Sequence, residues 1–149
     1  MKIQSFLARV VALAVSVVAI ATADAADKKT AGPNGGRILT KIEPRAEFLV
    51  MKDRKVQITF LDKSGKAIAP ADQSVTITAG DRSAPQTLTF ARVGDSLVSS
   101  TPLPPGADIP AVIQIKVSPS AKAVIERVSV NMSKCGGCDY FEYACTCGH

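Results

Sequence analysis

A chain of 149 residues with 46% hydrophobic and 21% charged residues, no tryptophan and a net charge of +5 has the makeup of one ordinary globular domain with appendages. Its basic residues are scattered, and the densest group, Lys52, Arg54 and Lys55, is interrupted by Asp53, so a solvated face is expected and no nucleic-acid partner. The only histidine is His149, and there is no Gly-x-Ser-x-Gly elbow or glycine-rich phosphate loop, which argues against hydrolase or nucleotide chemistry and for a protein that is not an enzyme.

The chain opens with Lys2 and Arg9, followed over residues 10–23 by an uncharged run of mostly Val, Ala, Leu and Ile. Small-x-small endings follow at Ala21-Thr22-Ala23 and Ala23-Asp24-Ala25. A positive start, a short apolar stretch and a small-residue ending are what a signal peptide needs for orientation, membrane partition and cleavage. The run is shorter than the roughly 20 apolar residues of a membrane span. Residues 1–25 are therefore expected to be a cleaved signal peptide, leaving a periplasmic or secreted protein with no membrane attachment. No twin arginine is present, so export as an unfolded chain is expected, with any metal acquired afterwards. Cleavage after Ala25 leaves 16 basic residues against 12 acidic ones, still only mildly basic.

Residues 26–36, polar and ending in Asn34-Gly35-Gly36, read as a flexible leader that closes in a tight turn. Over residues 37–132 the hydrophobic period is two, the mark of strands with one buried and one wet face. Val56, Ile58 and Phe60 alternate with polar residues, as do Val75, Ile77 and Ala79, Leu88 and Phe90, Ile113, Ile115 and Val117, and Val128, Val130 and Met132. Residues 38–42, 46–51 and 96–100 are less regular candidates. Turn residues separate the runs at 62–65, 79–82 and 93–95, and residues 102–110 form a connection with four prolines. Eight short strands without a helical pattern predict an all-β fold, an immunoglobulin-like antiparallel β-sandwich, with a small barrel as the alternative. Glu43, Glu47, Asp53 and Asp62 read as strand-end and turn carboxylates.

Residues 133–149 form a short Cys-rich C-terminal tail that holds all four cysteines, Cys135, Cys138, Cys145 and Cys147, and His149. Two glycines between Cys135 and Cys138 allow the tight turn that aims both sulfurs at one point. In an extended strand, Cys145 and Cys147 lie roughly 7 Å apart, so the chain must bend near Thr146 or Gly148 for one metal to reach both. Five donors suit Zn(II) bound by four thiolates, or by three and the imidazole; Cu(I) accepts two or three thiolates. Cysteines of an exported chain also pair readily into disulfides, in which case Cys135 and Cys138 would each join one of the later two and knot the tail. A thiol redox role lacks the helix that normally opens at a redox Cys-x-x-Cys. Tyr140, Phe141 and Tyr143 read as an anchor for the tail, or as a docking patch for an envelope protein with Glu142 and Asp139 at its rim.

The stretch Gly32-Pro33-Asn34-Gly35-Gly36-Arg37-Ile38-Leu39 resembles the Gly-Pro-x-Gly-Gly-x-aliphatic opening of small periplasmic all-β proteins, and of some adaptor subunits, associated with bacterial heavy-metal efflux. A histidine often precedes the glycine in those proteins; here the position is Ala31, so the resemblance implies no ligand in this stretch. It implies an all-β domain in a metal-handling setting, and a tail that binds metal for sequestration or handover.

Overall fold

The computed structural model describes residues 30–148. Residues 1–29, including the expected signal peptide, and His149 lie outside the described residues. The described chain is all-β and antiparallel. Its strands are β1 (Arg37–Leu39), β2 (Arg45–Val50), β3 (Val56–Leu61), β4 (Ala67–Ile68), β5 (Ser74–Ala79), β6 (Gln86–Val93), β7 (Ser96–Ser99), β8 (Asp108–Lys116) and β9 (Val124–Asn131), followed by a 3₁₀ turn at Glu142–Ala144. All eight expected strands form. The ninth, β4, is a two-residue strand on the edge of β3, too short to carry a periodicity.

The pairing order is β1-β2-β3-β7-β6-β5-β8-β9, with β4 sharing an edge of β3 with β7. Strand β6 carries the sheet around its bend. Gln86 to Thr89 pair with β5, and Phe90 to Val93 pair with β7, so one strand serves both arms. The arms enclose one core in which Phe48, Ile58 and Phe60 meet Ile77, Leu88, Ile113 and Val130, all fully buried. Burying side chains of this size contributes roughly 2 to 3 kcal/mol each before conformational entropy is subtracted. The alternation in the sequence is the cause: on β8, Ile109, Ala111, Ile113 and Ile115 point inward while their neighbours face solvent or the rim.

Pro110 lies within β8, so the proline-rich connection is shorter than expected. Its carbonyl accepts from the Gly80 N–H at 3.0 Å, which places its missing donor toward β5 just past that strand's paired end. The ladder to β9 therefore loses no bond.

The first and last strands of the order approach each other without pairing. Arg37 of β1 reaches Glu126 of β9 at 3.8 Å, and the 3₁₀ turn touches both strands, so the curled sheet is nearly closed across this seam.

Glu47 corrects the sequence reading. It sits mid-strand in β2 on the face opposite Ala46 and Phe48, and it is completely buried. What covers it is the turn at residues 32–36. The peptide N–H groups of Asn34 and Gly36 donate to Glu47 Oε1 at 2.9 and 2.7 Å, and Asn34 Nδ2 donates to Oε2 at 2.7 Å. A β-carbon on Gly32 or Gly36 would collide with this carboxylate or with the Phe48 carbonyl, and Gly35 sits at φ +82°. The glycines thus let backbone lie directly on a buried charge, which three N–H donors satisfy.

Replacing Glu47 with Ala should lower unfolding stability by about 2 to 4 kcal/mol, because it strands three donors beneath the turn. Urea denaturation followed by circular dichroism checks this; unchanged stability would mean that water takes over the carboxylate's role.

Candidate metal centre

The tail is built as an antiparallel hairpin that continues from β9. Cys135 N–H donates to the Tyr140 carbonyl at 2.9 Å and Glu142 N–H to the Ser133 carbonyl at 2.9 Å, and Lys134 bridges to Phe141. Gly136, Gly137, Cys138 and Asp139 form the loop. Lys134 Nζ covers the Phe141 ring at 4.5 Å and donates to the Asp139 carbonyl at 3.1 Å. The 3₁₀ turn then reverses the chain, with Ala144 N–H bonded to the Phe141 carbonyl at 2.9 Å, and so returns Cys145 to Cys135.

The aromatic residues fasten this assembly to the sheet, in the anchor role expected of them. Tyr143 is buried edge-on against Phe48, with ring centroids 5.8 Å apart, and its hydroxyl accepts the Val50 N–H at 3.0 Å, where β2 runs past the end of β1. Burial pushes the Tyr143 phenol above its ordinary pKa, and the Val50 N–H opposes the shift. Phe141 stacks on Tyr143 with centroids 6.2 Å apart, and the Tyr140 ring lies over Gly35 of the turn that covers Glu47.

With these anchors in place, the sulfurs of Cys135, Cys138, Cys145 and Cys147 all lie within 4.8 Å of one another, and this group could hold a metal ion. No disulfide joins them. Cys135 to Cys147 is 3.8 Å and Cys138 to Cys145 is 3.9 Å. A tetrahedron with metal–sulfur bonds of about 2.3 Å has edges of about 3.8 Å, so these two separations fit one shared ion. Cys135 and Cys145 approach more closely, at 3.0 Å. The bend between Cys145 and Cys147 that a common site requires is present: the Cys147 N–H folds back onto the Cys145 sulfur at 3.3 Å. Gly137 is where Cys147 packs, since a β-carbon there would stand 3.0 Å from its sulfur.

Peptide donors surround the cluster. Gly137 N–H reaches the Cys135 sulfur at 3.5 Å, and the N–H groups of Tyr140 and Thr146 reach that of Cys138. Nothing in the spacing of cysteines announces these donors; they follow from the loop geometry. The Tyr140 and then the Thr146 N–H lower the Cys138 thiol to about 6 against the resistance of burial. Its neighbours move the other way. The Cys135 sulfur raises Cys145, and Cys138 first, then burial, pushes Cys147 up to about 12. One thiolate is stabilised by the backbone, and further negative charge in the same few ångströms calls for a cation. A bound metal supplies that charge and deprotonates its thiol ligands outright.

The structure brings together four of the five expected donors; His149 lies outside the described residues. Comparison with known proteins adds no relative: no family model, no curated protein and no solved structure matches the chain.

In metal-free, reduced protein Cys138 should be the first cysteine to alkylate near neutral pH. Its reactivity should fall as pH drops through about 6, where the thiolate is lost, whereas Cys147 should stay unreactive until strongly alkaline pH. Peptide mapping by mass spectrometry after brief iodoacetamide pulses across pH 5 to 9 reads both, pH 9 being roughly the ordinary range of a thiol.

Proposed function

We propose that this chain is an exported, non-enzymatic binding protein whose Cys135, Cys138, Cys145 and Cys147 hold one thiophilic ion, Cu(I) or Zn(II), with His149 as an optional fifth donor, for sequestration or handover. The observation that carries the reading is the convergence of all four sulfurs within 4.8 Å on a tail anchored by buried aromatics. Four thiolates satisfy tetrahedral Zn(II), and any two or three of them satisfy Cu(I). Export to the periplasm or medium is supported by the charge and hydropathy pattern of residues 1–25. The likeness of residues 32–39 to the opening of proteins associated with heavy-metal efflux supports the same setting. The scaffold is read as immunoglobulin-like, two packed arms sharing β6, which suits a rigid platform for a terminal site. An envelope protein that docks on the tail would meet half-buried Tyr140 and Phe141.

One observation favours a rival. Cys135 and Cys145 are 3.0 Å apart, so a small movement would join them, leaving Cys138 and Cys147 to form the second bond of a knotted structural module.

Native and denaturing mass of protein recovered from the export compartment without reductant, with thiols counted in parallel, separates the two. The metal reading expects free thiols and the added mass of one ion, both altered when Cys135 or Cys138 is changed to Ser. A mass four hydrogens below the reduced value, with no reactive thiol, overturns it in favour of the knot.

A further inference from the structure

The four sulfurs are not held alike, and the difference has a direction. Cys135 is buried, its N–H is tied to Tyr140, and its sulfur accepts the Gly137 N–H. Cys138 is half-buried and accepts from two peptide groups. Cys145 follows the buried pair Tyr143 and Ala144, its N–H is bonded to the Glu142 carbonyl at 3.2 Å, and its sulfur accepts from Cys147 N–H. Cys147 is exposed, and among the described residues its sulfur receives no peptide N–H; its partners there are the other sulfurs. Three sulfurs are held by peptide donors, and the fourth by the other sulfurs and by packing on Gly137.

The Cys147 sulfur packs on the backbone of Gly137, where a β-carbon would stand 3.0 Å from it. Gly136 and Gly137 are both exposed, and a β-carbon built on Gly136 meets nothing within 4 Å. Among the described residues, the exposed member of the cluster, Cys147, is thus flanked by glycines that carry no side chain, and it is the sulfur an incoming ligand atom meets first.

Taking the metal reading as its basis, we infer that Cys147 is the exchange ligand, and that the ion leaves by attack of an incoming thiolate from the exposed side of Cys147. The acceptor is thus a thiol-bearing molecule. The metal keeps its oxidation state. Its bond to the Cys147 sulfur breaks as a bond to the incoming sulfur forms, and the proton given up by the incoming thiol ends on Cys147. Cys135, Cys138 and Cys145 hold the ion until a second acceptor sulfur arrives. A purely structural metal clip needs no such asymmetry, since it benefits from burying all four ligands alike.

The test uses protein loaded with Cd(II), a thiophilic probe, challenged anaerobically with dithiothreitol and, separately, with a carboxylate chelator. Protein-bound Cd(II) is read after rapid gel filtration. Loss of Cd(II) should quicken in proportion to dithiothreitol concentration. Cys147→Ser should still bind Cd(II) but release it roughly tenfold faster or more, the scale on which weakened support of a ligand acts. At matched concentration, release to the carboxylate chelator, which offers no sulfur to take the place of Cys147, should be slower than release to dithiothreitol. Release independent of thiol concentration overturns the inference, as does a Cys147→Ser protein that binds no more Cd(II) than Cys135→Ser. Unmodified protein that takes up no Cd(II) overturns the metal reading itself, and the exchange inference with it.

Discussion

The contact on which the rest of the site depends is the seating of Tyr143 against Phe48, with its hydroxyl on the Val50 N–H. A curled sheet whose end strands do not pair leaves a seam, and the Arg37–Glu126 ion pair at 3.8 Å is a weak fastening for it. The 3₁₀ turn that carries Tyr143 lies across this seam and shares the sheet's core. Because Tyr143 stands between Cys138 and Cys145 in the chain, fixing it also fixes how the two cysteine-bearing arms return to each other. The geometry of the sulfur cluster is thus a consequence of how the sheet closes.

A second polar constraint works from the other side of β2. Glu47, buried on that strand's outer face, draws the Gly32–Gly36 turn onto the sheet, and Tyr140 of the tail rests on Gly35 of the same turn. The start of the described chain and its end are packed on one strand, one over each face or edge. A buried carboxylate satisfied by three donors has little tolerance for displacement, so the turn forms a firm ledge under the tail. The glycine-rich opening has a mechanical explanation here that requires no metal at that position.

Within the cluster, electrostatics and geometry point the same way. Peptide N–H groups favour one thiolate at Cys138, while crowding discourages ionisation of Cys145 and Cys147. Four sulfurs this close are poorly suited to remaining as separate anions and well suited to sharing one cation. That the least supported sulfur is also the most exposed makes the arrangement suited to giving up an ion as well as holding one.

The all-β class of the fold and the cysteines that form the candidate site were legible in the chain. Period-two alternation at Val56, Ile58 and Phe60 or at Ile113 and Ile115 reports burial on one face, which is a local property of a strand, and the crowding of every cysteine into residues 135–147 is visible in any listing of the residues. Convergence of the sulfurs was a requirement in the sequence, and only the tertiary structure supplied the bend. The burial of Glu47 was not legible, because an outward-facing strand position is ordinarily wet and nothing local says that a turn from thirteen residues upstream will cover it. The inequality among the four cysteines was likewise hidden, since it arises from peptide donors and from the depth at which Tyr143 seats, both set by long-range packing. Sequence by itself determined which residues could form strands and which could bind metal, since these are properties of side chains and their spacing. Tertiary structure decided which of them meet and which are covered, since that depends on how separate segments pack.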